Sequence, residues 1–249
     1  MESEIEWLLK EKYHGEKSAA FFTDVERLKA GEPLGFIIGH VPFLNCTIYL
    51  DSHPLIPRPE TEYWVEKAIA EIRQSKKPAP RVLDLCAGSG AIGVAVAHAI
   101  PAAKVTLVEI DKKHLPTIGK NLNENKISCT DYQVFQSDLF ENIVGAFDFI
   151  LTNPPYIDRT LDRTDVSVKD FEPAIALYGG AEGMELIARI IEAAPDYLTA
   201  EGVVYIEHEP EQSKQIKQLA ESRYKVRTEC DQYGVERYSI LHLQSEKSN

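Results

Sequence analysis

Asn153-Pro154-Pro155-Tyr156 sets a carboxamide, two imino acids and an aromatic ring in four consecutive positions. The two prolines donate no N–H and fix their own φ, and Pro154 drives Asn153 into an extended conformation. A stiff turn results, from which the Asn153 side chain and the Pro154 carbonyl point outward. A carboxamide oxygen and a carbonyl held close together accept both hydrogens of one planar –NH2 group, and the Tyr156 ring can stack on the group that carries it. This is chemistry for an amide or amino nitrogen. A proline-rich turn with an asparagine cap and a packed tyrosine has the same composition, so the rest of the chain must decide.

Gly88-Ser89-Gly90-Ala91-Ile92-Gly93 fits the dinucleotide fingerprint Gly-x-Gly-x-x-Gly, and Glu109 stands where a ribose-hydroxyl acceptor is expected. NAD is one reading of this pattern, and a glycine turn needed for packing alone is another. Asp84 and Asp138, expected at strand ends facing one crevice, favour a nucleoside without phosphates. S-adenosylmethionine, which carries a sulfonium and an ammonium, suits such carboxylates. A hydride-transfer enzyme has no evident use for the Asn-Pro-Pro-Tyr turn.

The elements that must hold these residues follow from periodicity. Strands are expected at 81–86, 104–110, 132–136, 147–152 and 202–208, with helices at 91–99, 112–125, 183–198 and 211–222 between them. Two last strands, near 225–229 and 236–243, turn at Gln232-Tyr233-Gly234. Regular βαβ alternation implies a parallel sheet with helices on both faces, and the final hairpin makes its edge mixed. Asn153 then leaves the carboxyl end of the fourth strand, the edge where open α/β sheets bind ligands. A long loop, 157–182, carries Phe171-Glu172-Pro173 and Gly179-Gly180.

Upstream, Trp7, Leu8, Phe21, Phe22, Val25 and Leu28 recur at helical spacing, and Gly15 divides them into two short helices. That piece is too small for its own core and should dock on the main body or on a partner. Residues 41–44 and 47–50 read as a β-hairpin around Asn45-Cys46. Pro57-Arg58-Pro59 reads as a rigid loop presenting a positioned arginine, with Glu60 beside it and Thr61 capping a helix over 62–74. The polar stretch 75–80 is the expected boundary between an N-terminal part, 1–75, and a catalytic domain, 76–249.

The net charge of −12 over 249 residues argues against a protein that works by broad phosphate neutralisation, so no direct nucleic-acid partner is expected. Cys46, Cys86, Cys129 and Cys230 are scattered, which fits neither a disulfide framework nor a metal site and suits a reducing cytoplasm. Cys86 reads as packing rather than a nucleophile. The charged N-terminus lacks the apolar stretch of a signal peptide. The longest apolar run, 91–100, is about half of a membrane span.

Pro33-Leu34-Gly35 with Gly39, the 55–62 stretch Leu-Ile-Pro-Arg-Pro-Glu-Thr-Glu, Val82 to Gly90, Gln136-Ser137-Asp138, Asn153 to Ile157 and Phe171-Glu172-Pro173 stand in order. Together they resemble the release-factor glutamine methyltransferase family, also called HemK-type. The resemblance runs from about residue 33 to the C-terminus. It implies a class I methyltransferase: a Rossmann-like seven-stranded mixed sheet, helices on both faces, with a short N-terminal helical segment and hairpin. It implies methyl transfer from S-adenosylmethionine to the side-chain amide nitrogen of the glutamine in the Gly-Gly-Gln loop of peptide-chain release factors. On that resemblance Cys86, Ala87, Gly88, Ser89 and Gly90 form the cofactor loop, Glu109 holds the ribose, Asp138 and Leu139 flank the adenine, and Asn153 borders the cofactor as well as the substrate. Asn153 and Pro154 grip the substrate amide, with Pro155 in the same turn and Tyr156 packed on it. Arg58, Pro59, Glu60 and Thr61 border the site. The alternative is a methyltransferase for an exocyclic amine of adenine or guanine in nucleic acid, since a flipped base presents the same –NH2. A cofactor-binding partner protein without turnover and an NAD dehydrogenase are weaker readings. The need for a helper subunit stays open.

Overall fold

The computed structural model describes residues 1–128, 130–161 and 165–244; Cys129 lies outside them. Seven strands form one sheet in the order β5-β4-β3-β6-β7-β9-β8. They are β3 (Arg81–Leu85), β4 (Lys104–Glu109), β5 (Tyr132–Gln136), β6 (Phe147–Thr152), β7 (Leu198–Glu207), β8 (Tyr224–Cys230) and β9 (Glu236–Leu243). The first five are parallel, and β9 runs antiparallel to both β7 and β8. The mixed sheet expected from the alternation is therefore present. β7 starts earlier than its apolar run because Leu198 pairs with Phe147 across an irregularity in register.

Strand order reverses between β3 and β6. The chain moves outward on one side through β4 and β5 and on the other through β7, so a crevice opens at the carboxyl ends of β3 and β6. Leu85 is paired with Thr152, so Cys86 and Asn153 leave the sheet side by side. A parallel sheet needs both faces covered, and its strands read as nearly continuous apolar runs. Every residue of β6 is buried. On one face Val82, Leu107 and Leu151 pack with α4 (Pro59–Gln74), α5 (Ala91–Ala99) and α6 (Leu115–Glu124). On the other, Leu83, Ile150 and Val204 pack with α8 (Glu185–Ala193) and α9 (Ser213–Ala220).

Helix α4 buries Trp64, Val65, Ala68, Ile69 and Ile72 in the same cluster as the sheet, so one core spans the 75–80 stretch. Trp64 stacks with Tyr205 and Tyr238, ring centroids 6.1 Å apart in each pair. The hairpin, β1 (His40–Phe43) and β2 (Cys46–Tyr49), is clamped to α6. Asn121 Oδ1 accepts from the Tyr49 N–H at 2.8 Å, and Asn125 Oδ1 from Thr47 N–H at 3.0 Å. Upstream, α1 (Glu2–Glu11), α2 (Ala19–Lys29) and α3 (Leu34–Ile38) close a satellite cluster of Leu8, Phe21, Val25, Leu28 and Ile37. Helix α3 was not expected, because two glycines within five residues disfavour a helix. Gly39 instead ends the helix in the left-handed conformation, φ +94°. A second unexpected helix, α7 (Val166–Phe171), lies within the long loop. Among the described residues no helix is long and apolar enough to cross a membrane.

Thr61 does not cap the helix. Arg58 occupies the cap and Pro59 the first turn, where a missing N–H costs nothing. Asp84 does not face the crevice either. It is fully buried, its Oδ2 accepts from Gly93 N–H at 2.8 Å, and its Oδ1 has no hydrogen-bond partner among the described residues. Burial pushes its carboxyl up to about 7, against the pull of the Gly93 N–H and with the help of nearby Glu109. The third glycine of the fingerprint thus has two jobs. A Cβ on Gly93 would lie 2.6 Å from Leu107 Cδ2 and 3.0 Å from Asp84 Oδ2.

Gly93→Ala should therefore destabilise the protein by about 1–3 kcal/mol through overpacking, read as a lower urea midpoint with an unchanged slope. Asp84 carries a pH signature. The unfolded chain ionises it near pH 4 and the folded chain near 7, so the folded state holds the extra proton between. Stability then falls as pH rises through that window and levels above it. The melting temperature of Asp84→Asn minus that of the wild type should grow from pH 5 to pH 8; a constant difference would contradict the raised carboxyl.

Candidate active site

The turn after β3 is held in a conformation that few side chains tolerate. Cys86 has φ +63°, Gly88 +56° and Gly90 +81°. Gly90 caps α5 and lies against Ile118 and Leu107, while Gly90 N–H bonds back to the Ala87 carbonyl at 2.7 Å. Glu109, at the end of β4, ties the turn down. One carboxylate oxygen accepts from Gly88 N–H at 2.7 Å and the other from Asp111 N–H at 2.8 Å. Burial, with Glu109 beside it, pushes the Cys86 thiol up to about 12. A thiol this hard to ionise is no nucleophile near neutrality.

Above this turn lies a cavity of about 510 Å³, within the range of small-molecule sites. Of the expected cofactor residues, Cys86, Ala87, Gly88, Ser89, Glu109, Asp138, Leu139 and Asn153 line it, and Gly90 does not. Asp138 is paired with Arg189 at 2.9 Å. His114, Arg189 and Tyr178 also line this space and were missed. His114 Nδ1 lies 2.7 Å from Ser52 Oγ, a contact across 62 positions that no local pattern announces.

A second cavity, about 300 Å³, adjoins the first. Arg58, Pro154 and Tyr156 line it, and Leu55, Asn153 and Ala176 line both. Pro155 and Thr61 border the first cavity, and Glu60 borders neither. Arg58 is positioned, as its proline frame suggested, by an ion pair with Glu172. Glu172 also accepts from Ile56 N–H at 3.0 Å, so the Phe-Glu-Pro segment pins the Pro-Arg-Pro loop. Among the described residues, Asp158, Asp165, Glu182, Glu209 and Glu211 line the second cavity with one cation, Arg58, and Glu209 is paired with Arg237 behind it.

The Asn-Pro-Pro-Tyr turn is fastened at both ends to one side chain. Asn153 Nδ2 donates to Thr61 Oγ1 at 3.2 Å, and Thr61 Oγ1 donates to Glu207 Oε2 at 2.7 Å. Tyr156 donates its hydroxyl to Glu207 Oε1 at 3.0 Å, and Trp64 Nε1 donates to Oε2 at 2.6 Å. Burial pushes the Glu207 carboxyl up, and these three donors and the positive charge of Arg237 offset only part of that rise. Because Thr61 spends its only proton on Glu207, it must accept from Asn153. The Asn153 nitrogen is thus committed inward and its oxygen faces the cavities. Neither that oxygen nor the Pro154 carbonyl accepts a hydrogen bond among the described residues. Behind the turn, Gln212 Nε2 donates to the Tyr156 carbonyl at 2.8 Å. Gly183, at φ +68°, passes so close to that carbonyl that no Cβ would fit.

A sequence profile described as the methyltransferase small domain matches residues 69–237. The release factor glutamine methyltransferase of Rhodopirellula baltica is 38% identical over 211 residues, covering 83% of this chain and 71% of that protein. Among solved structures, a methyltransferase from Pyrococcus furiosus shares the fold with a TM-score of 0.61 at 18% identity, over 90% of this chain and 98% of that one. A 16S rRNA methyltransferase of T. thermophilus, solved in complex with AdoMet and guanosine, aligns with a TM-score of 0.58 at 20% identity, over 83% of this chain and 50% of that one. With its profile match, its relatives and its sheet order in agreement, the chain belongs to the release factor glutamine methyltransferase family.

Proposed function

We propose that this protein transfers a methyl group from S-adenosylmethionine to the side-chain amide nitrogen of the glutamine in the Gly-Gly-Gln loop of a peptide-chain release factor. The observation that carries the reading is Asn153. It stands in the wall shared by two cavities, with its nitrogen tied inward and its oxygen unpaired.

The first cavity suits the cofactor. Glu109 ends β4 where nucleotide-binding sheets take ribose hydroxyls. Asp138 and Leu139 offer a polar and an apolar contact for a purine, and the 86–90 turn brings backbone to the amino-acid end. The fold is that of methyltransferases, and one structural neighbour was solved with this cofactor. When bound, S-adenosylmethionine would supply an electrophilic methyl group on its sulfonium, and the broken sulfur–methyl bond would leave its electron pair on a neutral thioether.

The chain's own residues must then make an amide nitrogen attack. That nitrogen is a poor nucleophile because its lone pair is delocalised into the carbonyl. Asn153 Oδ1 and the Pro154 carbonyl accept its two N–H bonds and turn it toward the first cavity. Positioning of this kind is worth roughly 7–11 kcal/mol in favourable cases. As the nitrogen–carbon bond forms, positive charge grows on the nitrogen and its N–H groups become stronger donors, so the two acceptors hold the transition state more tightly than the ground state. The surplus proton leaves to water. Tyr156 borders the cavity where the glutamine arrives, and the tie of its hydroxyl to Glu207 fixes the ring. The acidic lining of the second cavity opposes a polyanion, which favours a protein loop over nucleic acid. On this reading the protein works in the cytoplasm, where release factors are found.

Labelled S-adenosylmethionine should mark an intact release factor and not a version with Gly-Gly-Gln changed to Gly-Gly-Ala. Label on structured RNA or DNA instead would move the protein to the amino-base methyltransferases, and label on neither, with cofactor bound, would call for a helper subunit. Asn153→Ala should lower turnover by at least about 10²–10³-fold while the cofactor affinity, measured by calorimetry, stays as in the wild type. Loss of cofactor binding in that variant would contradict its assignment to the methyl acceptor.

A further inference from the structure

We infer that Glu207 is a positioning residue of the transfer step, acting through Thr61 to hold the Asn153 carboxamide with its oxygen toward the methyl acceptor. The inference rests on the function proposed above, because it concerns the same acceptor nitrogen.

The geometry is specific. Glu207 ends β7, the strand beside β6, and is 1% exposed. Thr61, in the first turn of α4, is 3% exposed. An amide such as Asn153 can turn over about its last bond and present either oxygen or nitrogen. Only the oxygen accepts from a substrate –NH2. The chain Asn153 Nδ2 to Thr61 Oγ1 to Glu207 Oε2, at 3.2 and 2.7 Å, decides the choice. The Trp64 N–H on the same carboxylate oxygen, at 2.6 Å, keeps Glu207 from rotating away. Hydrogen bonds in a chain polarise one another. Glu207 Oε2, which takes the Trp64 N–H as well, is the accepting end of the chain; drawing the chain's protons toward itself, it leaves more negative charge on Asn153 Oδ1. That atom receives the N–H groups of a nitrogen turning positive. Glu207 touches neither ligand cavity, so its effect on rate must travel through Thr61 or through Tyr156, whose hydroxyl it also holds; the two Thr61 variants isolate the first route.

Three variants test this. Glu207→Leu removes both acceptor oxygens and frees the Thr61 hydroxyl to turn to the Asn153 oxygen. Thr61→Val keeps shape and removes the hydroxyl, and Thr61→Ser restores it. We expect Glu207→Leu and Thr61→Val each to lower kcat by about 10-fold or more, with KM for both substrates changed less than about twofold in Thr61→Val, and Thr61→Ser to stay within about threefold of wild type. The double variant Glu207→Leu/Thr61→Val should be no slower than Glu207→Leu alone, since both break one chain. A structural role would instead give additive losses, or raise KM and cofactor Kd in Thr61→Val. Wild-type kcat in Glu207→Leu, or equal losses in Thr61→Ser and Thr61→Val, would overturn the inference. If Glu207→Leu does not fold, the Thr61 pair decides. A readout independent of turnover separates this from the function itself. The Asn153 side-chain amide protons, assigned by their loss in Asn153→Ala, should exchange faster with water in Thr61→Val than in wild type or Thr61→Ser. Unchanged exchange would sink the positioning role even if the release factor is methylated. Changed exchange with no methylated release factor would leave it standing and remove the substrate.

Discussion

A carboxylate taken out of water needs donors around it, or it costs several kcal/mol. Glu207 finds three. Thr61 and Trp64 come from α4, and Tyr156 comes from the turn after β6. One side chain thereby joins the helix that precedes the sheet to the loop that leaves its middle. The arrangement explains why α4 enters the crevice with its first turn: Thr61 must reach the end of β7. It also explains why Trp64 is buried, since its ring stacks between Tyr205 and Tyr238 while its N–H serves the carboxylate. Asn153 then gains a fixed orientation from groups that belong to packing as much as to the site.

The same economy recurs on the cofactor side. Glu109 spends both oxygens on backbone N–H groups, so the 86–90 turn is anchored before any ligand arrives. Cys86 sits at φ +63°, where an L-residue is strained by roughly 1–2 kcal/mol. Strain of this kind persists when the surroundings over-determine it. Here they do: Ala87 N–H bonds to the Val108 carbonyl at 2.9 Å, and Gly88 to Glu109. The crevice is formed by the sheet's reversal, but its shape is set by these few bonds.

Much of the fold could be read in the chain. Parallel strands buried on both faces leave continuous apolar runs, so β3, β4 and β6 were visible to within a residue, and α5 was bounded correctly by Gly90 and the break before Pro101. The turn residues of the site were visible too, because proline and glycine constrain the backbone locally. What escaped was long-range. Glu207 lies 146 positions from Thr61 and stands in no pattern that marks it; Glu172 lies 114 from Arg58, and its Phe-Glu-Pro segment was visible while its partner was not. Thr61 was misread for the related reason that a threonine before an apolar helical run is a good cap, and only the tertiary structure shows its hydroxyl engaged elsewhere. Asp84 was placed in the crevice because it ends a strand, yet its alternation carries it to the helix-covered face under Gly93.

Among the described residues the two cavities share Leu55, Asn153 and Ala176, and the rest of each wall is its own. They are two rooms with one window between them, and Asn153 stands in its frame. Residues that shape one room can therefore change without touching the wall of the other, and only the three in the frame answer to both.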